Sequence, residues 1–217
     1  MVLTLTKRQA IYQRLKDRIL EGKFAPGQRL IIDDIAEEFG LSIIPVREAL
    51  QSLQAERLVE IQPHVGATVS PITRENIEEV FAILGGMEAI TVRRIAKNRP
   101  PALEGRLETL IEQMDAAEKR HNPEKWSALN VEFHLAMSEA TGMPWVHEIT
   151  TRALSNWDRI RRHFFREGKE HRFTHAQDEH HAILKALRKG DADLAEKLIR
   201  QHNLKAFHHY SVLATHL

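Results

Sequence analysis

Apolar residues at helical spacing predict two helices near the start of the chain. Ile11, Leu15 and Ile19 form one stripe, which predicts a helix over residues 6–21. The segment EGKFAPGQRL then carries the glycine and proline residues that mark a turn. A second, shorter apolar face predicts a helix over residues 33–39, which ends where Gly40 can serve as a C-cap residue.

A third helix and a hairpin follow. Ser42 is a typical N-cap residue, and Pro45 is tolerated in a first helical turn because the N–H groups there have no intrahelical partner. Apolar residues of this helix fall on one face, whereas Arg47 and Gln51 fall on another. Two β-branched runs flank residues 63–66 and predict the hairpin.

From residue 73 onward the pattern is helical. The predicted helices span residues 73–98, 101–120, 123–141, 144–167, 174–189 and 191–214. Helix, short helix, three-residue turn, helix and hairpin is the element order of a winged helix-turn-helix. The chain is therefore predicted to be mainly α, with a winged helix-turn-helix over residues 1–72 and an all-α antiparallel bundle over residues 73–217.

Composition narrows the class of protein. The chain has 217 residues, 42% hydrophobic and 28% charged, as in soluble globular proteins. No apolar run reaches the roughly 18 residues that span a bilayer, and the N-terminus lacks the layout of a signal peptide. The absence of cysteine excludes disulfides and thiolate chemistry. These observations predict a cytoplasmic protein.

Charge is balanced overall but uneven along the chain. The net charge of +1 gives no support to nucleic-acid binding. Between Lys7 and Arg29, however, seven residues are basic and two are acidic. The first helix could therefore anchor DNA phosphates, with Arg14 as a candidate contact. A solvated basic helix accounts for the same residues equally well.

Residues 12–69 resemble the DNA-binding domain of the GntR family of bacterial transcriptional regulators. The segments EGKFAPGQRL and PVREALQSLQAERLVE carry the resemblance. It implies that the third helix enters the major groove of double-stranded DNA and that the hairpin forms the wing. The candidate DNA contacts besides Arg14 are Ser42, Ile43, Ile44, Arg47, Gln51, His64 and Gly66.

The chain departs from this family at two places. Family members usually carry Arg-Thr at the positions of Ile43 and Ile44, and that arginine commonly reads a guanine. We expect one isoleucine to pack on a thymine methyl group instead, and Arg47 to contact a guanine or a phosphate. The alternatives are packing of the isoleucines against the first helix and a surface salt bridge for Arg47. His64 stands in a wing tip that often carries Asn-Arg, and a solvent-exposed turn is as good an interpretation as a minor-groove contact.

Three of the 13 histidines share faces with apolar residues. His134, His180 and His202 lie on three different predicted helices, so all three are predicted to point into one bundle. Asn130 lies one turn before His134. This set could bind a divalent transition metal such as Zn, Ni, Fe or Mn. Hydrogen-bonded core histidines are the alternative.

Residues 73–214 resemble the FCD effector-binding domain of FadR-like regulators, in its shorter, VanR-like branch. The segments NVEFHLAM and DEHHAILKALRKGDADLAEKLIRQH carry the resemblance. It implies a metal site formed by Asp and His at i, i+4 and by two further histidines. Asn130, His134, His180 and His202 occupy those positions, and Asn130 replaces the Asp. An amide oxygen carries no charge, so we expect weaker metal binding.

The resemblance also implies a small-molecule effector, often a carboxylate, and a homodimer that reads a palindromic operator. In the family, an arginine four residues before a glutamate of the first bundle helix faces the ligand. The glutamate corresponds to Glu88, and Leu84 stands in place of the arginine. Arg159 and Arg162 are therefore the candidates for binding a carboxylate; a solvated basic face is the alternative.

The leading hypothesis is a ligand-responsive transcriptional regulator and not an enzyme. A metal-dependent enzyme in the bundle would need a general base beside the ion. Glu132 and Glu179 adjoin two of the histidines in sequence but are predicted to lie off the faces that carry them. A metal sensor without an organic effector is the third hypothesis.

Overall fold

The computed structural model describes residues 6–63, 66–166 and 173–214. Over these residues the protein is mainly α, as predicted, and it divides into two compact units, Met1–Ile72 and Thr73–Leu217. His64 lies outside the described residues. No helix in the described part of the chain is long and apolar enough to cross a membrane.

The first unit contains three helices and a small sheet. Its elements are α1 (Lys7–Leu20), β1 (Arg29–Leu30), α2 (Ile32–Glu38), α3 (Ile43–Ala55), β2 (Val59–Gln62) and β3 (Gly66–Val69). Thr6 caps α1 by accepting a hydrogen bond from the backbone N–H of Gln9. Leu15, Val46 and Leu53 are fully buried in the core that joins α1 to α3.

The turn between α2 and α3 is built as the sequence predicts, with one correction. Gly40 adopts a left-handed backbone (φ +61°), which lets the chain leave α2 without the strain that a side chain would add. Ser42 is the N-cap of α3 by its backbone, but its side chain makes no capping hydrogen bond. The side chain of Ser42 is exposed at the tip of α3.

The sheet has a third strand that the sequence pattern did not predict. The strands are antiparallel in the order β1-β3-β2, with Arg29 opposite Thr68 and Glu60 opposite the same threonine on the other side. At two residues, β1 is too short to show an alternating pattern. It attaches the segment that follows α1 to the edge of the wing.

The second unit is helical throughout its described residues. Its elements are α4 (Arg74–Asn98), α5 (Leu103–Lys119), α6 (Pro123–Ala140), α7 (Pro144–Arg166), α8 (Phe173–Lys189) and α9 (Ala192–Ala214). Side-chain oxygens of Thr73, Asn122 and Asp191 accept backbone N–H groups at the starts of α4, α6 and α9. These caps place the helix boundaries within two residues of the predicted ones.

A continuous apolar core holds the bundle together. It includes Val92 of α4, Met114 of α5, Phe133 of α6, Ile183 of α8 and Ile199 of α9, all of them at most 1% exposed. Polar side chains interrupt this core where α4, α6, α8 and α9 approach one another, and the candidate metal ligands lie at that interruption.

Candidate functional site

The tip of α3 presents bare apolar side chains beside one cation. Ile44 is 65% exposed and Ile43 is also exposed, while Val46 and Leu50 turn into the core. The exposure of Ile44 does not fit packing against α1, whereas Ile43 is 38% exposed. Arg47 is exposed and makes no ion pair with any described residue, so nothing in the described part of the chain supports the surface salt-bridge alternative.

Other candidate DNA contacts lie around this tip and on the wing. Gln51 is exposed one turn beyond Arg47 on α3. Arg14 is exposed on α1, where its guanidinium lies 5.5 Å from the centroid of the Phe39 ring. At the wing, a Cβ on Gly66 would lie 3.7 Å from Nε of Arg29, so the Arg29 side chain runs beside the wing strand. Sequence reasoning counted Arg29 only as one of the basic residues, because β1 was not predicted.

The three predicted histidines meet in the bundle core. His134 comes from α6, His180 from α8 and His202 from α9, and all are buried. One ring nitrogen from each residue lies within 4.8 Å of the other two. Three nitrogens bound to one ion at about 2.1 Å each lie roughly 3–4 Å apart, which this limit allows.

Each histidine is held through Nδ1 by an oxygen from another residue. Glu88 Oε1 lies 2.6 Å from Nδ1 of His134, and Glu179 Oε2 lies 2.7 Å from Nδ1 of His202. Carboxylates only accept hydrogen bonds, so Nδ1 of His202 carries the proton in its contact with Glu179, and the short distance from Glu88 to Nδ1 of His134 favours the same tautomer there. A carboxylate behind a histidine is the usual second contact of a metal-binding imidazole.

The side chain behind His180 is an amide that other contacts orient. Gln177 Nε2 donates to the carbonyl oxygen of Ile111 at 3.1 Å and to Asp115 Oδ1 at 2.7 Å. Its Oε1 therefore faces the other way, where it accepts from Nε1 of Trp126 and lies 3.3 Å from Nδ1 of His180. His180 is thereby given the same tautomer as the other two histidines.

Asn130 is buried on α6 beside this cluster. Its Oδ1 has no hydrogen-bond partner among the described residues. An orphaned carbonyl oxygen in a core costs about 1–3 kcal/mol, and a bound cation or water would relieve that cost. The donor set therefore fits a divalent transition metal, with Asn130, His134, His180 and His202 as the residues that would hold it.

Glu88 brings a negative charge into the core. It is 1% exposed. Burial opposes its ionisation, but attraction to His134 and hydrogen bonds with His134 and Asn203 outweigh burial, so the pKa of Glu88 lies below its usual value. The carboxylate is fixed from the opposite side by Asn203, whose Nδ2 donates at 2.7 Å.

A small cavity adjoins the histidines. Its volume is about 30 Å³, and its lining includes Asn130, His134, His202, Trp157 and Tyr210. That volume accommodates about one or two water molecules. It suits an ion with a water ligand better than an ion together with an organic acid.

The arginines of α7 are placed differently from the expectation. Arg159 is 4% exposed, so a solvated basic face is wrong for it. Arg162 is half-buried and its Nε lies 2.7 Å from Asp158 Oδ2. The described lining of the cavity includes neither arginine.

Sequence reasoning missed Arg161, which is fully buried and whose Nη1 has no hydrogen-bond partner among the described residues. Arg161 lies one turn after Trp157 on α7, and this helical spacing could have indicated that it faces the core.

Both halves of the chain match known families. Residues 7–69 match the bacterial regulatory proteins of the gntR family, and residues 79–205 match the FCD domain. The chain belongs to the GntR family. It is thus a transcriptional regulator with an FCD domain, and its relatives are regulators and not enzymes.

Individual relatives of this GntR regulator agree over most of the chain. It is 28% identical over 200 residues to the HTH-type transcriptional regulator BphR of Paraburkholderia xenovorans, covering 89% of this chain and 81% of that one. It is 27% identical to the repressor GlaR of Escherichia coli, covering 89% of this chain and 90% of that one. The solved structure of E. coli McbR/YncC has the same fold, with a TM-score of 0.76 and 24% identity over 94% of this chain and 98% of that one.

Proposed function

We propose that this GntR regulator binds a palindromic operator as a homodimer and that a divalent transition metal in the FCD bundle controls the affinity for DNA. The observation that carries the proposal is the convergence of three buried histidines, each backed by a carboxylate or amide oxygen. Core histidines that served packing alone would not need one ring nitrogen of each close to the other two.

The chain's own residues divide the work at this site. His134, His180 and His202 would supply nitrogen ligands and Asn130 an amide oxygen. Glu88 and Glu179 orient the rings and offset the charge of an ion through the histidines. A bound metal would supply Lewis acidity. A small organic acid could then bind the ion through its carboxylate as a further ligand. The candidate effector is therefore a carboxylate, and Zn, Ni or Mn are the candidate ions.

Metal and DNA binding would be coupled in both directions. If the ion lowers the affinity for operator DNA, the operator must lower the affinity for the ion by the same factor. The small cavity beside the histidines favours a second candidate, a metal sensor without an organic effector. In that case the ion alone would change DNA binding.

At the operator, the exposed tip of α3 would enter the major groove. We propose that Ile43 or Ile44 packs on a thymine methyl group, that Arg47 contacts a guanine or a phosphate, and that Gln51 lies farther along the groove. The sugar-phosphate backbone of the DNA would be contacted by Ser42, Arg14 and the wing around Gly66. The exposure of Ile44 supports this assignment, because an isoleucine at a helix tip that touches only water gains nothing from burial.

Elemental analysis of the purified, untagged protein tests the metal centre. We expect about one transition metal per chain, lost in His180→Ala and retained in His181→Ala. His181 is the matched control because it adjoins His180 but is exposed and pairs with Asp115. Equal metal content in both variants would show that the histidine cluster does not bind the ion.

Fluorescence anisotropy with a duplex selected from random sequence then tests the regulation. The metal-loaded wild type is titrated with and without a panel of small organic acids, and His180→Ala is run beside it. A shift in DNA affinity with metal alone identifies a metal sensor. A shift that needs both metal and acid identifies a carboxylate-responsive regulator, and no shift with either excludes the regulatory proposal.

A further inference from the structure

One face of α4 is exposed along its whole length and divided by charge. Its centre is apolar, with Ala82, Ile83, Gly86 and Ile90 exposed or half-buried. The acidic residues of the face are Glu75, Glu78 and Glu79 toward the N-terminus, and the basic ones are Arg93, Arg94 and Lys97 toward the C-terminus. Single exposed isoleucines are ordinary on a surface, but two on one face around a glycine form a patch.

The two central glycines of α4 point to different neighbours. A Cβ on Gly85 would lie 4.0 Å from Cβ of Asn203, so Gly85 packs against α9. A Cβ on Gly86 would meet nothing within 4 Å. Glycine inside a helix costs about 0.5–1 kcal/mol relative to alanine. Packing against α9 accounts for Gly85, whereas nothing within the described chain accounts for Gly86.

The charges of this face are self-complementary about Gly86. Suppose that two α4 helices pair antiparallel about a twofold axis at Gly86. A residue that precedes Gly86 in one helix then lies opposite the residue that follows Gly86 by the same number of positions in the other helix. Three acid–base pairs result on each side of the axis: Glu75 with Lys97, Glu78 with Arg94 and Glu79 with Arg93. Ile83 of one helix then falls within one residue of Ile90 of the other.

Most of these charges have no partner within the chain. Glu78, Glu79, Arg94 and Lys97 make no ion pair with any described residue, whereas Arg93 pairs with Asp193 and Glu196 of α9. We infer that α4 docks antiparallel on α4 of a second copy of this chain, with Gly86 at the twofold axis. The inference rests on the homodimer of the proposed function and locates its interface.

The geometry follows the usual anatomy of an isologous contact. The apolar patch lies at the centre and the charges at the rim, and the same surface serves both copies. Gly86 lets two helix backbones approach closely where a side chain would hold them apart. Like charges oppose each other in a parallel arrangement, so the charge pattern also selects the antiparallel one.

Charge exchange tests this interface by sedimentation equilibrium of the full chain. Variant E75K/E78R places like charges opposite each other in its own dimer, and so does variant R94E/K97E. Each alone should dimerise at least about tenfold more weakly than the wild type. An equimolar mixture should recover a heterodimer, because all four exchanged pairs are then attractive. Arg93 is left unchanged to keep its contacts with α9.

Gly86→Gln gives a second test that cannot be attributed to unfolding. Glutamine is a better helix former than glycine, so the monomer should melt at a higher temperature while dimerisation weakens. Gly105→Gln on α5 is the matched control, since a Cβ there also meets nothing within 4 Å. It should leave dimerisation unchanged.

The outcomes separate this interface from the rest of the proposal. Heterodimer recovery in the mixture, or weaker dimerisation of Gly86→Gln, supports α4 pairing. Wild-type dimerisation in Gly86→Gln and in both charge variants overturns it and leaves the homodimer in place. A wild type that sediments as a monomer overturns both, whereas its metal content and DNA binding are measured independently.

Discussion

Glu179 on α8 contacts His202 on α9, with its Oε2 2.7 Å from the ring Nδ1. The same carboxylate receives Lys205 through Oε1 at 3.0 Å. One acidic side chain thus orients a candidate metal ligand from a neighbouring helix while a lysine fixes the carboxylate itself. The helical pattern of the sequence places Glu179 off the face that carries His180, so it does not predict this contact.

Glu179→Gln should weaken metal binding without removing a ligand. An amide holds the ring less strongly and lowers its basicity, and the loss of such a contact typically costs 10–100-fold in metal affinity. Titration against a chelator of known affinity measures the change. Glu132→Gln, which alters an exposed glutamate near Arg106, should bind the ion as the wild type does. Equal affinities in the two variants would contradict the role of Glu179.

Asn130→Asp should raise metal affinity. The substitution supplies a negatively charged oxygen at the position of the orphaned Oδ1, and carboxylates are stronger ligands of divalent ions than amides. It should also destabilise the metal-free protein, because it buries a charge without a partner. Thermal melting with and without metal measures both effects, since an ion that binds only the folded state raises the melting temperature. A smaller metal-induced rise than in the wild type would place Asn130 outside the ligand set.

Glu88→Ala should cost about 3 kcal/mol of unfolding free energy in the metal-free protein. The change removes the carboxylate beside Nδ1 of His134 and leaves Nδ2 of Asn203 with one acceptor, the carbonyl oxygen of Ile199. Removing one partner of a buried pair costs more than removing both. Urea denaturation in the presence of a chelator measures it. Glu112→Ala on the exposed face of α5 is the control and should change stability by less than about 0.5 kcal/mol.

Arg47→Ala should abolish sequence-specific DNA binding and leave the fold intact, because Arg47 is exposed and makes no ion pair with a described residue. Selection from random duplexes before and after the change measures the specificity. Ile43→Arg should shift the preferred base at one position of each half-site toward guanine, because arginine reads guanine through two hydrogen bonds. Enrichment of guanine at that position by the wild type would exclude the thymine contact.

Alkaline pH should destabilise the first unit through one cluster on α1. Burial and a hydrogen bond to Glu56 raise the pKa of Tyr12 above its ordinary 10.0. Burial lowers the pKa of Lys16, but the hydrogen bond and attraction to Glu56 outweigh it and raise that pKa above 10.5. A raised pKa in the folded state means that the stabilisation is complete below the unfolded value and is lost as pH rises through the folded one. Urea midpoints measured above pH 10 should fall more steeply for the wild type than for Tyr12→Phe/Lys16→Met.

Helical phase was sufficient to find the candidate metal ligands but not the residues behind them. His134, His180 and His202 follow from period 3.6 alone, because a buried position on an amphipathic helix repeats at that period. The contacts from Glu88 and Glu179 join side chains on different helices, and their pairing depends on how far each helix is rotated and shifted against its neighbour. A single sequence does not determine those offsets.

Local patterns likewise predicted the helices of the first unit and missed its third strand. Turn residues and caps fix where α1, α2 and α3 begin and end. The strand Arg29–Leu30 exists only because β3 lies beside it, and a two-residue pairing has no periodicity of its own. Because β1 was not predicted, the position of Arg29 next to the wing was not predicted either.

The opposed faces of α4 have a consequence for communication between protomers. Glu88 points from this helix to His134 in the core, and Gly86, two residues earlier, lies on the face that would meet the second copy. In the proposed dimer, each α4 would contact the candidate metal site of its own protomer on one face and α4 of the second copy on the other. A shift of α4 on metal binding in one protomer would then reach the α4 of the second copy directly, so the two candidate metal sites would be coupled.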